Sequence, residues 1–509
     1  MSTNGAGVPS SRSLFKNILR SSGLYAIAAI GQPLVGMLML PIITRYLRPA
    51  DYGVLATLEQ VSSVLALLLG ANFGTMIGYF YFQRDTAETR RPVVGTCVLG
   101  SGLAGILTML VLGLMGAFLT HQIIGRQVSA LYLQVIALGM PIGFASETLF
   151  AWLRVADRPR AYLAASLLRI ATGAVAAILL VAVFHLKILG MVLSGIAAVT
   201  VPALILAAIC WRVARPTFDG RLFLRMVKYA APIGVSALAM FCTNFGDRLI
   251  LPRYVSMADI GLYNLAYKIG MLASLAYSAF HTYWSSQIFG VMKRDDADTM
   301  FARLLTYAFG GVGAMVLGLI VFAKPAIHLL AHRDYSGAAA LVPIIATAYG
   351  FRSLGDFFRS RYYLAGHPGY DAIANWLGAG LCLGGYLVWI PRFGVWGAAF
   401  ATLLAFCSVL AVTLIWTFRL RPYEVEAGRL AKIAIALAAV LGLFMALPVA
   451  SLVGQIAFGT LLAAGYPGLL WLFGFPTPAE REAVRVGIRR VVDGGWLYNR
   501  STLGRPDGK

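Results

Sequence analysis

The chain has 509 residues, of which 59% are hydrophobic and only 12% are charged, and its mean hydropathy is +0.77. A soluble protein of this length would carry about twice that fraction of charged residues. Apolar stretches of about 20 residues or more recur along nearly the whole sequence. The composition therefore excludes a soluble protein and predicts an all-α polytopic membrane protein.

The formal net charge of +21 would also suit a nucleic-acid-binding protein. Lysine and arginine, however, concentrate in every second connection between apolar stretches rather than on one soluble face. This distribution is the positive-inside pattern of membrane proteins, and it predicts that both termini lie in the cytoplasm. We therefore expect no nucleic-acid partner.

The predicted elements begin with a cytoplasmic tail, residues 1–21, in which Ser11–Arg20 has an apolar and a basic helical face. Such a segment is typical of a helix on the anionic inner leaflet, and equally of a plain basic tail. About fourteen transmembrane helices follow. Six of them form an N-lobe over residues 22–212, and six form a C-lobe over residues 229–417.

Three further segments complete this organisation. Residues 213–228 are predicted to be a cytoplasmic linker, residues 431–473 the last two spans, and residues 474–509 a basic cytoplasmic tail. The last two spans are also compatible with one re-entrant hairpin. Hydropathy predicts single helices over Val54–Tyr81 and Leu262–Val291.

A short pattern, R-Y-x-x-x-A-D-x-G, occurs at residues 45–53 and again at residues 253–261, each time between two long apolar stretches. Each lobe then continues with the same order of helices, basic turn, proline turn and short hairpin. An even number of spans per copy makes both copies enter the membrane from the cytoplasm. The sequence thus predicts two parallel repeats around a central cleft, which is a common architecture of transporters.

Charged residues inside predicted spans are candidate functional groups, because each costs roughly 2.5–3.5 kcal/mol to insert. Arg352, Asp356 and Arg359 share one helical face in the tenth span. Asp356 can pair with either arginine, and the remaining positive charge would hold an anion. The alternative is a structural ion pair between helices, with Arg359 extending toward the interface.

The repeat relates Asp356 to Glu147 in the fourth span, so each lobe carries one membrane carboxylate at an equivalent position. Glu147 and Asp356 are candidate proton carriers, because a carboxylate in a polar cavity can titrate near neutral pH. Equally, each neutralises a nearby arginine, such as Arg154 on the face of Glu147.

Other intramembrane charges break the repeat. Lys268 corresponds to neutral Gln60, and Arg169 corresponds to Gly378. Asp247 and Arg248 close the seventh span, where the first copy has two apolar residues. We predict that Arg352, Lys268, Arg169, Arg248 and Arg359 bind substrate, and that Glu147, Asp356 and Asp247 couple ions or balance charge.

Several chemistries find no support in the sequence. A P-loop pattern is absent, and the five cysteines lie singly inside spans without metal-ligand or disulfide spacing. His328 and His332 are four residues apart but have no acidic or cysteine partner in their span. Large outer loops are also absent, so we predict no cofactor, no metal and no enzyme activity.

Several motifs in this order resemble the polysaccharide and O-antigen flippases of the multidrug/oligosaccharidyl-lipid/polysaccharide exporter superfamily. They are the repeated T-R-Y-L…D-Y-G motif at residues 44–53, D-R-L-I-L…G-L-Y at residues 247–263, Y-L-A-G at residues 363–366 and G-V-W-G-A-A at residues 394–399. The resemblance covers residues 14–420. Related lipid II flippases carry arginines in the first span, and this chain has none there before Arg45.

The resemblance implies two six-helix lobes around a cationic cavity, in a bacterial inner-membrane protein. It also implies flipping of an undecaprenyl-pyrophosphate-linked oligosaccharide by alternating access, for surface or exopolysaccharide synthesis. Partners would be this glycan, membrane lipids, and a polysaccharide polymerase and glycosyltransferases. The alternatives are a cation-coupled multidrug exporter, which would want an acidic cleft, and a membrane enzyme of polysaccharide assembly.

Overall fold

A computed structural model describes residues 31, 34–69, 73–125, 128–215, 217–274, 277, 281, 297–364, 369–420, 425–478 and 481–482. Within these residues the chain is almost entirely helical and contains no strand. Nine of the described helices are long and apolar enough to cross a membrane, or ten if the bent pair around Leu341 is one span. The all-α polytopic class is confirmed, while the count of fourteen spans stays a prediction.

Seven helices lie in the described part of the first half of the chain. They are α1 (Leu40–Tyr46), α2 (Pro49–Leu69), α3 (Phe73–Phe82), α4 (Ala87–Leu119), α5 (Leu131–Val155), α6 (Pro159–Ala177) and α7 (Lys187–Ala214). One π-helical turn extends α4 over Thr120–Ile124, and another extends α6 over Ile178–Val183.

The residues described in the second half form ten helices. They are α8 (Gly220–Phe245), α9 (Asp247–Ile250), α10 (Met257–Gly270), α11 (Ala297–Val321), α12 (Ala323–Leu330), α13 (Val342–Leu364), α14 (Gly369–Phe393), α15 (Val395–Leu420), α16 (Ala427–Ala446) and α17 (Leu452–Leu472). A 3₁₀ segment, Arg333–Ala340, precedes α13 at an angle of 50°.

The predicted span Val54–Tyr81 is covered by α2 and α3, and residues 70–72 between them lie outside the described residues. One predicted boundary differs from the structure. The predicted linker, residues 213–228, is mostly the start of α8. Asp219 begins this helix, because its Oδ1 accepts hydrogen bonds from the backbone nitrogens of Arg221 and Leu222.

The chain divides into two compact units. One unit comprises residues 1–289 and 323–422, and it contains all but one of the helices predicted for the two lobes. In the other unit, α11 packs with α16 and α17 around buried Leu317, Ile433 and Leu462. We had assigned α11 to the C-lobe, but its packing groups it with the C-terminal helices. Several predictions lie outside the described residues, namely the N-tail helix, most of Leu262–Val291 and most of the C-tail.

The duplicated motif forms two helix starts that pack against each other in the first unit. In the first copy, the carboxylate of Asp51 accepts a hydrogen bond from the Arg48 nitrogen at 3.2 Å at the start of α2. In the second copy, Ser256 Oγ caps α10 by accepting a hydrogen bond from the Asp259 backbone nitrogen at 3.2 Å, and it donates to the Asp259 carboxylate at 2.7 Å. The aspartate of each copy therefore helps to start the helix that follows it.

The glycine of each copy lies where α2 and α10 cross. A Cβ atom on Gly53 would lie 1.9 Å from the carbonyl oxygen of Met257, and one on Gly261 would lie 1.9 Å from that of Pro49. Only glycine allows the two backbones to approach this closely. The motif is therefore a packing element that joins the two halves of the chain through equivalent surfaces.

Two hydrogen bonds between distant segments reinforce the same corner. The Tyr335 hydroxyl donates to the carbonyl oxygen of Leu47 at 3.0 Å, and the backbone nitrogen of His332 donates to Thr44 Oγ1 at 3.0 Å. Tyr335 is fully buried. The 3₁₀ segment after α12 thus fixes the end of α1 and the turn before α2.

Candidate substrate cavity

A cavity of about 420 Å³ lies among α1, α2, α6, α7 and α10, and we call it the first cavity. Its wall is mostly apolar, with small residues of α6 and α7 such as Gly173, Gly195 and Ala198 leaving the space open. The ionisable residues that line it are Tyr52, Glu59, Arg169 and Lys268. A largely apolar cavity with a few charged groups is the usual form of a ligand site.

Lys268 projects from α10 into the first cavity, where its side chain is accessible. Its Nζ donates a 2.7 Å hydrogen bond to the Tyr52 hydroxyl and lies 4.9 Å from the centre of that ring. This contact orients the ammonium group without neutralising its charge. Lys268 therefore offers a full positive charge to a ligand in the cavity.

Glu59 lines the same cavity from α2, and the sequence analysis did not identify it. The repeat relates Lys268 to Gln60, so a comparison of the two copies does not reveal the acidic residue one position earlier. Among the described residues, no basic group lies within 4 Å of the Glu59 carboxylate. The signal was present as a carboxylate inside an apolar stretch, which is costly unless it has a function.

Arg169 reaches the first cavity from α6 but is already paired. Its Nη1 lies 2.5 Å from Glu147 Oε1 on α5. The predicted alternative partner of Glu147, Arg154, instead lies 5.8 Å from the Tyr162 ring in a cation–π contact. Glu147 therefore neutralises Arg169, which is the structural alternative that the sequence left open for this carboxylate.

Asp247 and Arg248 form an ion pair inside the protein. Both residues are at most 1% exposed, and the Arg248 Nη1 lies 3.2 Å from Asp247 Oδ1. The Tyr263 hydroxyl donates a 2.5 Å hydrogen bond to the other oxygen of Asp247. The Arg248 guanidinium also lies 4.2 Å from the Tyr267 ring centre. Such burial and pairing leave neither residue accessible to a ligand, so their predicted direct roles are not supported by this geometry.

The Arg248 guanidinium connects the walls of two cavities. Its Nη2 donates to Asn264 Oδ1 at 3.5 Å, and Asn264 lines the first cavity. Its Nη1 donates to the carbonyl oxygen of Asn244 at 3.4 Å. Asn244 lines a second cavity of about 500 Å³, which also contains Tyr349, Arg352 and Asp356.

Arg352 lies in the wall of this second cavity. Its Nη1 donates a short hydrogen bond to Asn244 Oδ1, and its guanidinium lies 5.3 Å from the Phe406 ring centre. Asp356 pairs with Arg359 at 3.3 Å rather than with Arg352. Arg359 also lies 3.1 Å from Asp371, so Arg359 is held between two carboxylates.

The predicted substrate-binding residues are therefore divided between cavities. Lys268 and Arg169 line the first cavity, whereas Arg352 lines the second cavity, together with Asp356, and Arg248 is buried between them. We had expected one shared anion site, and the structure does not form one from these four residues. Repeat offsets cannot predict this division, since it depends on the direction in which each side chain leaves its own helix.

A family model described as "Polysaccharide biosynthesis protein" matches residues 18–284, which is more than half of the chain. The chain belongs to this polysaccharide biosynthesis protein family. The matched region includes α1 to α10 and hence every ionisable residue of the first cavity. A curated relative is the succinoglycan biosynthesis transport protein ExoT of Rhizobium meliloti (strain 1021), which is 24% identical over 369 residues and 71% of each chain.

Solved structures show the fold of this family member. The lipid II flippase MurJ in an inward closed conformation has a TM-score of 0.71 at 13% identity, covering 88% of this chain and 98% of that one. An inward-facing multidrug resistance MATE family transporter has a TM-score of 0.58 at 15% identity, covering 78% and 98%. The predicted polysaccharide biosynthesis family is confirmed, and the chain shares its fold with these two transporters.

Proposed function

We propose that this family member is a flippase for lipid-linked oligosaccharides, which moves a polyprenyl-pyrophosphate-linked repeat unit across the bacterial inner membrane. The observation that carries the proposal is the first cavity, in which Lys268 presents a cation within a largely apolar wall. A pyrophosphate is anionic, so Lys268 would attract it, with Arg169 as a second contact. The polyprenyl tail would stay in the lipid.

The relatives support a transport function but do not identify the glycan that is transported. The ExoT protein is named as a transport protein of succinoglycan biosynthesis, and MurJ is named as a lipid II flippase. The first span of this chain lacks the arginines expected of peptidoglycan-precursor flippases. We therefore favour an oligosaccharide of surface or exopolysaccharide synthesis, with a polymerase and glycosyltransferases as functional partners.

The contact between the two motif copies suits an alternating-access mechanism. It joins α2 and α10 across equivalent surfaces. The charge distribution predicts that this corner faces the outer side and that both termini lie in the cytoplasm. Separation of the two helix starts would open the first cavity outward. Rocking of two repeats about a fixed site is the usual way in which such transporters expose it to either side.

A multidrug exporter is the second candidate, and MATE transporters share the fold. Export of cationic drugs would want a net acidic site. In the first cavity, Arg169 is neutralised by Glu147, and the remaining Lys268 and Glu59 carry opposite charges. The cavity is thus not net acidic, which argues against a cationic drug as its ligand.

The test is accumulation of lipid-linked oligosaccharide in a strain lacking this gene, complemented with variants. The wild-type chain should remove the accumulated intermediate and restore surface polysaccharide. Lys268→Gln should reduce flipping roughly 10- to 100-fold, because a hydrogen bond to a charged group contributes about 1.5–3 kcal/mol. Gln60→Ala is the matched control, since Gln60 is the repeat equivalent of Lys268 and does not line the first cavity.

Two outcomes would contradict the proposal. Normal surface polysaccharide in the deletion strain, without a second flippase, would reject the function. Full flipping by Lys268→Gln, present at wild-type level in the membrane, would reject the first cavity as the pyrophosphate site while leaving the function open to test with Arg352→Gln.

A further inference from the structure

Glu59 on α2 and Lys268 on α10 line the first cavity from helices that belong to different repeats. Both side chains are accessible in the first cavity. Lys268 is oriented by Tyr52 at 2.7 Å, and among the described residues it forms no ion pair with Glu59 within 4 Å. The carboxylate thus shares the cavity with the cation while leaving the donor atoms of Lys268 available.

The charges around the first cavity cancel in pairs until only two remain. Glu147 neutralises Arg169 at 2.5 Å, and Asp247 neutralises Arg248 at 3.2 Å. Ser194 is the one polar side chain that α7 adds to the wall, and its hydroxyl donates to the Met191 carbonyl oxygen. What remains among the described residues is the ammonium of Lys268 and the carboxylate of Glu59.

The protonation of Glu59 therefore decides the net charge of the cavity. With Glu59 ionised, the described charged groups sum to zero, and an anionic head group gains little from entering. With Glu59 protonated, Lys268 leaves the cavity with one positive charge in surroundings where water screens it poorly. Because protonation of Glu59 changes the cavity charge that the ligand meets, proton binding and ligand binding are coupled.

We propose that Glu59 is a proton-binding residue that controls the affinity of the first cavity for the anionic head group. This inference rests on the proposed function. The Glu59 carboxylate takes a proton from water when the pyrophosphate binds beside Lys268, and it returns the proton to water when the head group leaves. The ionised carboxylate then competes with the pyrophosphate for Lys268 and hastens release.

The proton dependence has a fixed sign. At pH values where Glu59 is protonated, the cavity is positive and its affinity for the anionic head group is highest. This affinity falls as rising pH ionises Glu59. A pyrophosphate esterified at both ends does not itself titrate between pH 5 and pH 8.5. A change in affinity over that range therefore reports on the protein.

The experiment measures binding of a short-chain polyprenyl-pyrophosphoryl-N-acetylhexosamine to the full-length chain in lipid nanodiscs, between pH 5.5 and 8.5. The wild type should lose roughly 10-fold in affinity across this range, which is a typical coupling between two sites. Glu59→Gln should bind at the low-pH affinity throughout. Glu88→Gln, an exposed carboxylate in the first turn of α4, is the matched control and should follow the wild type.

A second readout does not depend on the absolute affinity. Calorimetry of probe binding in buffers with different ionisation enthalpies counts the protons taken up on binding. The wild type and Glu88→Gln should take up a proton near neutral pH, and Glu59→Gln should take up none. Repeating the titration with sodium exchanged for choline at constant ionic strength distinguishes a proton from a sodium ion at Glu59.

The outcomes separate this inference from the proposed function. A pH profile and a proton count that are unchanged in Glu59→Gln would overturn the inference while the flippase function stands. Dependence on sodium rather than pH would also overturn it. If no variant binds the probe at any pH, both the proposed function and the inference fail.

Discussion

The two copies of the repeat differ in what they preserve. Both keep the Asp that helps to begin a helix, at Asp51 and Asp259, and the Gly at the helix crossing, at Gly53 and Gly261. They differ in charge, because the buried pair Asp247–Arg248 corresponds to apolar Met39–Leu40. The comparison teaches that the repeat supplies the frame, while the site comes from residues that only one copy carries.

The unmatched residues also lie on the contact between the two copies. Lys268 of the second copy extends over Tyr52 of the first, and Glu59 of the first copy lines the same cavity. The first cavity is therefore built by both halves of the chain, even though its charges are not symmetric. A symmetric frame with an asymmetric cavity suits an elongated ligand whose two ends differ.

The largest loss of stability is expected at Asp247 and Arg248, where the second copy differs most in charge from the first. Arg248→Met leaves the Asp247 carboxylate buried without its cation, and we expect a loss of about 3–5 kcal/mol in the free energy of unfolding. Converting both residues to the first copy's pair, Asp247→Met with Arg248→Leu, should recover most of that loss. Thermal unfolding of the purified chain in detergent checks both.

Arg221→Met, on the exposed first turn of α8, serves as the control for that experiment and should leave stability nearly unchanged. A loss of stability in the double variant as large as in Arg248→Met would show that the polar contacts of Arg248 with Asn264 and Asn244 matter more than the ion pair.

A smaller loss of stability is expected from substituting the glycine that both copies share. A Cβ atom on Gly53 or Gly261 would overlap a carbonyl oxygen at 1.9 Å, so either Gly→Ala change should destabilise the protein by about 1–3 kcal/mol. The double variant should lose less than the sum, because the first change already separates α2 from α10. The same thermal unfolding measurement and flipping of lipid-linked oligosaccharide report the result.

Gly102 offers a matched control, since a Cβ atom there would meet nothing within 4 Å. Gly102→Ala should be neutral or stabilising by up to about 1 kcal/mol, through its effect on helix propensity. Additive losses in Gly53→Ala with Gly261→Ala would argue against a single shared crossing.

The smallest effect is expected at the carboxylates that the repeat matches. Glu147 is 62% exposed and pairs with Arg169, so Glu147→Gln should cost less than about 1 kcal/mol in stability. Flipping should fall less than roughly 5-fold, the equivalent of 1 kcal/mol. Loss of flipping in both Glu147→Gln and Asp356→Gln would instead identify the matched carboxylates as the ion-coupling residues.

The all-α membrane class could be predicted from the sequence, because it depends on apolar length alone. The repeat and the role of Lys268 stay predictions, which rest on an internal pattern and on charge inside apolar stretches. The start of α8 at Asp219 was readable as a capping residue but was obscured by the basic character of the segment. Glu59 was missed because only exact repeat equivalents were compared, whereas side-chain direction decides which residues share a cavity.

The close contact of Gly53 with Gly261 also has a consequence for biogenesis. When the ribosome has completed the first motif, the surface that will pack against Met257 and Gly261 has no partner until more than 200 further residues have been made. During synthesis, the N-terminal half is therefore in the membrane before the helix that packs on it has been made. Its helices complete their packing only after the second copy is inserted. Two halves produced as separate chains should find each other through this same pair of glycines.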